Sequence, residues 1–237
     1  MKEELRQQKP RNFLTADWKN IILCNFSVPD ELLLPYLPAG AELDRWQGSA
    51  YLSFVAFQFL QTKVWGISWP GYSDFPEINL RFYVRFNGIR GVCFVREFVP
   101  SVLVAGLARI IYNEPYESAP MRMRVTSDLS IRVAQYSIFR AGNWNNVEVI
   151  AGIKPELPTE DSMAHFFKEH DLGVGRNHRQ ETTTYSVHHP FWEVFEVQKL
   201  ALNLDWKTLY GPAFSMMQGK TPDSVIFAKG STIEIPA

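Results

Sequence analysis

Apolar residues recur at every second position through most of this chain, and at helical spacing in only a few short stretches. The run YLSFVAFQFL, residues 51–60, is apolar on both alternating faces, which predicts a strand covered on both sides. INLRFYVRF and IRGVCFVREFV flank Asn87-Gly88, the preferred pair for a two-residue type I′ turn, so an antiparallel hairpin is expected there. Further strands are expected from Trp18 in WKNIILCNFSV, in MRMRVT, LSIRVAQYSIF, NNVEVIAGI and RQETTTYSVHH, and at the C-terminus in SVIFAKGSTIEIPA.

Helical signals are fewer. PDELLLPYLPAG opens on Pro29 and Asp30 and is stopped by Pro35 and Pro38. SVLVAGLARIIYN has Ser101 as N-cap and Pro115 just beyond its end, and TEDSMAHFFKEH is expected to open at Thr159 with an acidic first turn. WEVFEVQKLAL fits either state, and KEELRQQ at 2–8 is polar all round and predicts a short, fraying helix. Mostly antiparallel strands with scattered helices imply an α+β fold around a large sheet or barrel. With no repeat or linker, residues 1–237 are expected to form one domain, with 1–15 as a loose N-terminal segment.

Composition removes several partners. Lys and Arg number 24 against 25 Asp and Glu, so there is no field to attract nucleic acid or an anionic membrane surface. The longest apolar run is about half of what spans a bilayer and the N-terminus lacks a signal-peptide core, so a cytoplasmic location is expected. Cys24 and Cys93 lie in separate apolar runs and read as small buried hydrophobes. No GxGxxG, GxxxxGK[ST] or GxSxG motif occurs and no histidine spacing matches a zinc pattern, so neither a cofactor nor a metal is expected; a homo-oligomer is compatible with the sequence.

Candidate chemistry begins in FPEINLRFYVR, residues 75–85, where Ile78, Leu80, Phe82 and Val84 share one face and Glu77, Asn79, Arg81, Tyr83 and Arg85 the other. Alternation leaves open whether that polar face meets water or an enclosed cavity. Its groups are directional: a guanidinium fork suits a carboxylate ligand, while Glu and Asn nearby orient it or handle a proton. ARIIYNEPYESAP, residues 108–120, supplies Arg109, either a cation on a helix C-terminus or a ligand anchor, and Tyr116, a phenol fixed after Pro115. In HHPFW, His188 and His189 alternate along a strand, so only one of them faces a given side, and His189 joins the candidate ligand-binding set.

FPEINLRFYV, RGVCFV, ARIIYNEPYESAPM, HHPFW and the opening WKNIILCNFSVPDELLLPYLPAGAELDRWQGSAYLSFVAF together resemble the signature segments of the YqjF-like family of uncharacterised bacterial proteins, over most of residues 18–192. That family is similar to the acetoacetate decarboxylase superfamily. The resemblance implies an antiparallel β-barrel with a few peripheral helices, and a polar strand face of Glu77, Asn79 and Arg81 turned inward. In the decarboxylases a Pro precedes a Lys-Lys pair whose first lysine forms the Schiff base. By that resemblance Tyr116 takes the place of this lysine and Glu117 that of its neighbour, and neither side chain forms an imine.

The expectation is therefore a cavity for a small anionic keto or carboxylic acid, with Glu77, Tyr116 and Glu117 as candidate catalytic groups and Asn79, Arg81, Arg109 and His189 as ligand-binding ones. If an enzyme, the protein would be a lyase or hydrolase without a Schiff-base lysine; otherwise it would be a non-catalytic binding or surface-interaction protein.

Overall fold

The computed structural model describes residues 12–236, so the helix expected at 2–8 lies outside the described residues. In chain order the elements are β1 Asn12–Val28, α1 Asp30–Leu33, β2 Ala41–Leu43, β3 Arg45–Trp46, β4 Ser49–Val64, β5 Phe75–Phe86, β6 Ile89–Val99, α2 Val102–Tyr112, β7 Tyr116–Ser118, β8 Met121–Ser127, β9 Ile131–Arg140, β10 Asn143–Glu156, α3 Met163–Lys168, β11 Leu172–Arg176, β12 Thr182–Ser186, β13 Val194–Asn203, α4 Trp206–Tyr210 and β14 Ser224–Pro236. The protein is sheet-dominated, and its few helices are short.

The hairpin forms around Asn87 and Gly88, whose φ of 52° and 80° are those the turn requires. WEVFEVQKLAL resolves as strand, in β13. β1 begins at Asn12, ahead of the expected start at Trp18, and takes in residues 12–15 of the expected loose segment, placing Leu14 against the core. α3 starts at Met163 rather than at Thr159, because the Ser162 hydroxyl caps it by accepting from the His165 amide at 3.1 Å. LGVGR forms β11, a strand that its glycines conceal in the sequence. Cys24 and Cys93 are both free and buried, and burial pushes the Cys24 thiol up to about 12.

All fourteen strands among the described residues join one sheet, in the order β12-β11-β6-β5-β4-β1-β14-β13-β10-β9-β8, with β2, β3 and β7 attached to its flanks. The sheet is not closed by its ladder, which ends at β12 and at β8. Past β12 a single bridge, His188 to Glu234, reaches β14. Pro190 follows two residues later without an N–H to donate, so pairing stops there.

Both faces of the sheet are buried. One packs Ile78, Leu80 and Phe82 with Phe54, Tyr136, Trp206 and Phe214. The other gathers Leu23, Val55, Phe57, Tyr83, Phe167, Trp192 and Ile233. β5 thus sits between two cores, and its polar face from Glu77 to Tyr83 is turned inward with the second of them, while Arg85 is exposed. One irregularity matters for the site: the β5–β6 register shifts by a residue between Leu80 and Arg81, the mark of a β-bulge.

Close approach of β1 and β14 depends on Gly230, which has φ of 73° and lies opposite Lys19. A Cβ there would run into the Trp18 carbonyl oxygen. Gly230→Ala is expected to cost on the order of 2–3 kcal/mol, from the backbone clash and the left-handed conformation together. Urea denaturation checks this: the midpoint falls while the slope is unchanged.

Candidate functional site

The inward face of β5 opens onto a cavity of about 610 Å³. Register places the layers. Arg81 lies opposite Ser53, Asn79 opposite Val55, Glu77 opposite Phe57, and Phe75 opposite Phe59. Opposite Arg81, Ser53 belongs to a buried hydrogen-bonded cluster outside the lining: Asn25 donates to the Ser224 hydroxyl at 2.9 Å, Ser53 donates to Asn25 Oδ1 at 2.5 Å, and Tyr83 Oη lies 2.6 Å from Ser53 Oγ. Tyr83 Oη also donates to the Phe167 carbonyl at 3.3 Å, fixing α3 against this cluster.

Tyr116 reaches the site through local backbone chemistry. α2 is capped at its start by Ser101, which accepts from the Val104 amide at 3.3 Å, and ends at Asn113 in the left-handed conformation with φ of 54°. Pro115 then carries a tight turn in which the Tyr116 amide donates to the Glu114 carbonyl at 2.8 Å. β7 runs parallel to β6, pairing Tyr116 with Glu97 and Glu117 with Phe98.

Because successive strand residues face opposite ways, Tyr116 enters the cavity and Glu117 does not. Tyr116 Oη donates to Glu77 Oε2 at 3.2 Å, and Asn79 Nδ2 donates to Glu77 Oε1 at 3.0 Å. Glu117 instead lies 3.1 Å from Arg96 and 2.5 Å from Arg140 in a half-exposed ion pair. Arg81 lines the cavity and donates through Nη2 to the Phe167 carbonyl at 3.1 Å. The structure therefore brings Glu77, Asn79, Arg81 and Tyr116 together.

Arg109 and His189 are not among the cavity-lining residues. α2 presents Leu103, Leu107 and Ile111 to the cavity, while Arg109 is exposed and donates through Nε to the Ala105 carbonyl at 3.3 Å. The His189 ring stacks on Trp192 at 4.1 Å and contacts the Pro190 carbonyl through Nδ1 at 3.0 Å.

Two glutamates join the site unannounced. Glu97, buried on β6, lies opposite Asn79 and lines the cavity. Counting back along the hairpin from Asn87-Gly88 with unbroken pairing would put Arg96 opposite Asn79; the bulge moves Glu97 there instead. Glu114 is buried behind the site, where Gly175 makes room for it: a Cβ on Gly175 would lie 3.0 Å from Glu114 Oε1. A carboxylate directly before Pro-Tyr was the available signal for Glu114.

Burial governs the protons here. Desolvation pushes the Glu77 carboxyl up to about 7, against the opposing pull of Asn79, Tyr116 and Arg81. Glu97 is raised well above the carboxylate range by burial and by the neighbouring Glu77 and Glu114, and burial alone takes Glu114 to about 8. The Tyr116 phenol is likewise pushed up by burial and by Glu77 and Glu97. At neutral pH the Glu77–Glu97 pair thus holds at least one proton and acts as donor as well as acceptor. Asn79 Oδ1, Arg81 Nε and Glu97 Oε1 are buried without a hydrogen-bond partner, all on residues lining the cavity.

Among the described residues no lysine lines the cavity. Lys168 is buried and held down to about 8, but it pairs with Glu169 outside the lining. Among the described residues no group of three or more His, Cys, Asp and Glu side chains is arranged around a metal.

A family described as "Uncharacterized conserved protein", DUF2071, matches residues 15–232. The uncharacterized protein YqjF of Bacillus subtilis (strain 168) is 29% identical over 112 residues, so this chain spans about half the length of that relative, 46% of it, using 47% of its own. Among solved structures, an acetoacetate decarboxylase from Legionella pneumophila superposes with a TM-score of 0.62 at 14% identity, covering 98% of this chain and 91% of that one. The enduracididine biosynthesis enzyme MppR, complexed with pyruvate, gives 0.62 at 12% identity over 98% and 90%. An acetoacetate decarboxylase-like enzyme from Sphingomonas wittichii RW1 gives 0.64 at 10% over 95% and 93%. At these identities the likeness is one of fold.

Proposed function

The chain belongs to the DUF2071 family of uncharacterized conserved proteins, and from that premise we propose that it takes up a small keto or carboxylic acid in its cavity and moves a proton on it without forming an imine. In this reading the curled sheet serves as the wall of an acetoacetate decarboxylase-like barrel. Arg81 and Asn79 hold the acid's oxygens, Glu77 and Glu97 share the mobile proton, and Tyr116 hydrogen-bonds the oxygen on which charge develops. No cofactor is invoked.

The observation that carries the proposal is the Tyr116–Glu77 hydrogen bond, 3.2 Å, at the position the decarboxylases give to a lysine, with Glu97 beside it in the same cavity. A carboxyl lifted to about 7 gives and takes protons at neutral pH. The solved relative bound to pyruvate lends the substrate class.

The test has two stages. A thermal-shift screen of keto, hydroxy and simple carboxylic acids identifies binders; a ligand at a hundredfold excess over its Kd adds about 2.7 kcal/mol of stability. NMR in deuterated water then follows exchange of the C–H beside the ligand's carbonyl. Binding that disappears in Arg81→Ala, with exchange in the wild type, is the expected result. Binding without exchange leaves a binding protein, and no shift with any acid removes the proposal.

A further inference from the structure

The cavity is larger and more one-sided than a short acid needs. Its acidic, amide and guanidinium side chains sit together at the Arg81 end, in the layers of Glu77, Asn79, Arg81 and their partners Glu97 and Tyr116. Outward from Glu77 the lining turns apolar and aromatic, first with Phe57, Phe59, Phe75 and Trp18, and it carries the hydroxyls of Thr62 and Tyr72 there. From Phe57 to Val64 β4 advances about 20 Å, so this apolar section is long. The total of about 610 Å³ falls in the range of sites for drug-sized molecules and far above the space of a three-carbon acid.

At the mouth the apolar lining continues into solvent. Trp65, Trp69 and Leu103 are 50%, 60% and 68% exposed and all line the cavity. Apolar side chains scattered singly on a surface need no account, but here they cluster at the rim of a pocket whose interior matches them.

We infer that the ligand is an amphiphilic acid: a carboxylate or keto-acid head at the Glu77–Arg81 end, and an aliphatic or arylalkyl tail running outward past Phe59 and Phe75 to the Trp65–Trp69 rim. The charged and amide groups are confined to the Glu77–Arg81 end, which orients the head there and the tail outward. A tail that fills the outer section removes its own surface and the aromatic lining from water. The inference rests on the acid-binding reading of the polar end and adds the chemistry of the other end.

A homologous series of 2-oxo acids from pyruvate to 2-oxodecanoate, titrated calorimetrically against the full chain, tests it. Each added methylene is expected to tighten Kd by about fourfold until the tail reaches the rim. In Leu107→Asp, which sets a charge at the mouth, that gain is lost for the longest members while the melting curve shows the fold intact. Short acids that bind with no gain from chain length, or a loss of binding beyond a few carbons, overturn the amphiphile and leave the acid site standing. If no member binds, both fall.

Discussion

Glu77→Gln is expected to lower proton exchange on the bound acid by about 10²- to 10⁴-fold, the usual contribution of a positioned acid–base group. The substitution is nearly isosteric. The glutamine carbonyl accepts from Tyr116, and its NH2 donates to the otherwise unpartnered Asn79 Oδ1 once that amide flips, so cavity shape and ligand affinity change little while the titrating proton is gone. The pH profile separates this from a structural effect: the wild type shows an inflection near the Glu77 value of about 7, and the variant loses it. Tyr116→Phe keeps the ring and removes the phenol, so it lowers exchange while leaving that inflection in place. Unchanged exchange in Glu77→Gln would rule out the carboxyl as the acting base.

Between pH 6.5 and 8 the protein should lose stability as pH rises. Glu97 and Glu114 keep their protons in the folded state over this range, and Glu77 does so up to about 7, whereas the unfolded chain releases all three near the ordinary glutamate value. The folded state binds more protons, so stability is fullest below the unfolded pKa and drains away as pH climbs through the folded ones. Each carboxyl that stays protonated contributes a slope of about 1.4 kcal/mol per pH unit.

Below pH 6.5 the trend is opposed by His165, His170 and His189. All three are pushed down, chiefly by burial, and favour unfolding once the unfolded histidines charge. Lys168 adds an opposing slope only above about 8. Urea midpoints at pH 6.5, 7.2 and 8 read the effect, and Glu114→Gln is expected to flatten the slope by one proton and exceed the wild type at pH 8. A wild-type midpoint that is level or rises across the window would contradict the buried-acid picture.

Much of the scaffold was legible because its signals are local. Asn87-Gly88 dictates its own turn, Ser101 caps α2 from three residues away, and the period of two in residues 77–85 separates the faces of β5. Which face meets water is a tertiary matter, and alternation alone left it open until the resemblance turned it inward. Arg109 illustrates the limit: its type suits an anion, but the helix turns Leu107 and Ile111 inward and leaves the guanidinium outside. β11 was missed because Gly173 and Gly175 read as loop, although each is small to let another group in, Tyr185 and Glu114 respectively. The open ladder beyond His188 depends on how far the sheet curls, which strand patterns do not encode.

The bulge in the β5–β6 hairpin gives the site a switch of electrical sign. Arg96 and Glu97 are neighbours, and the extra residue alone decides which of them looks into the cavity and which reaches back to the Leu209 carbonyl and Glu117. Unbroken pairing of the same residues, with the bulge straightened, would exchange a proton-bearing carboxyl for a permanent cation without altering a single side chain. The polarity of the pocket is thus written in strand register as much as in side-chain identity.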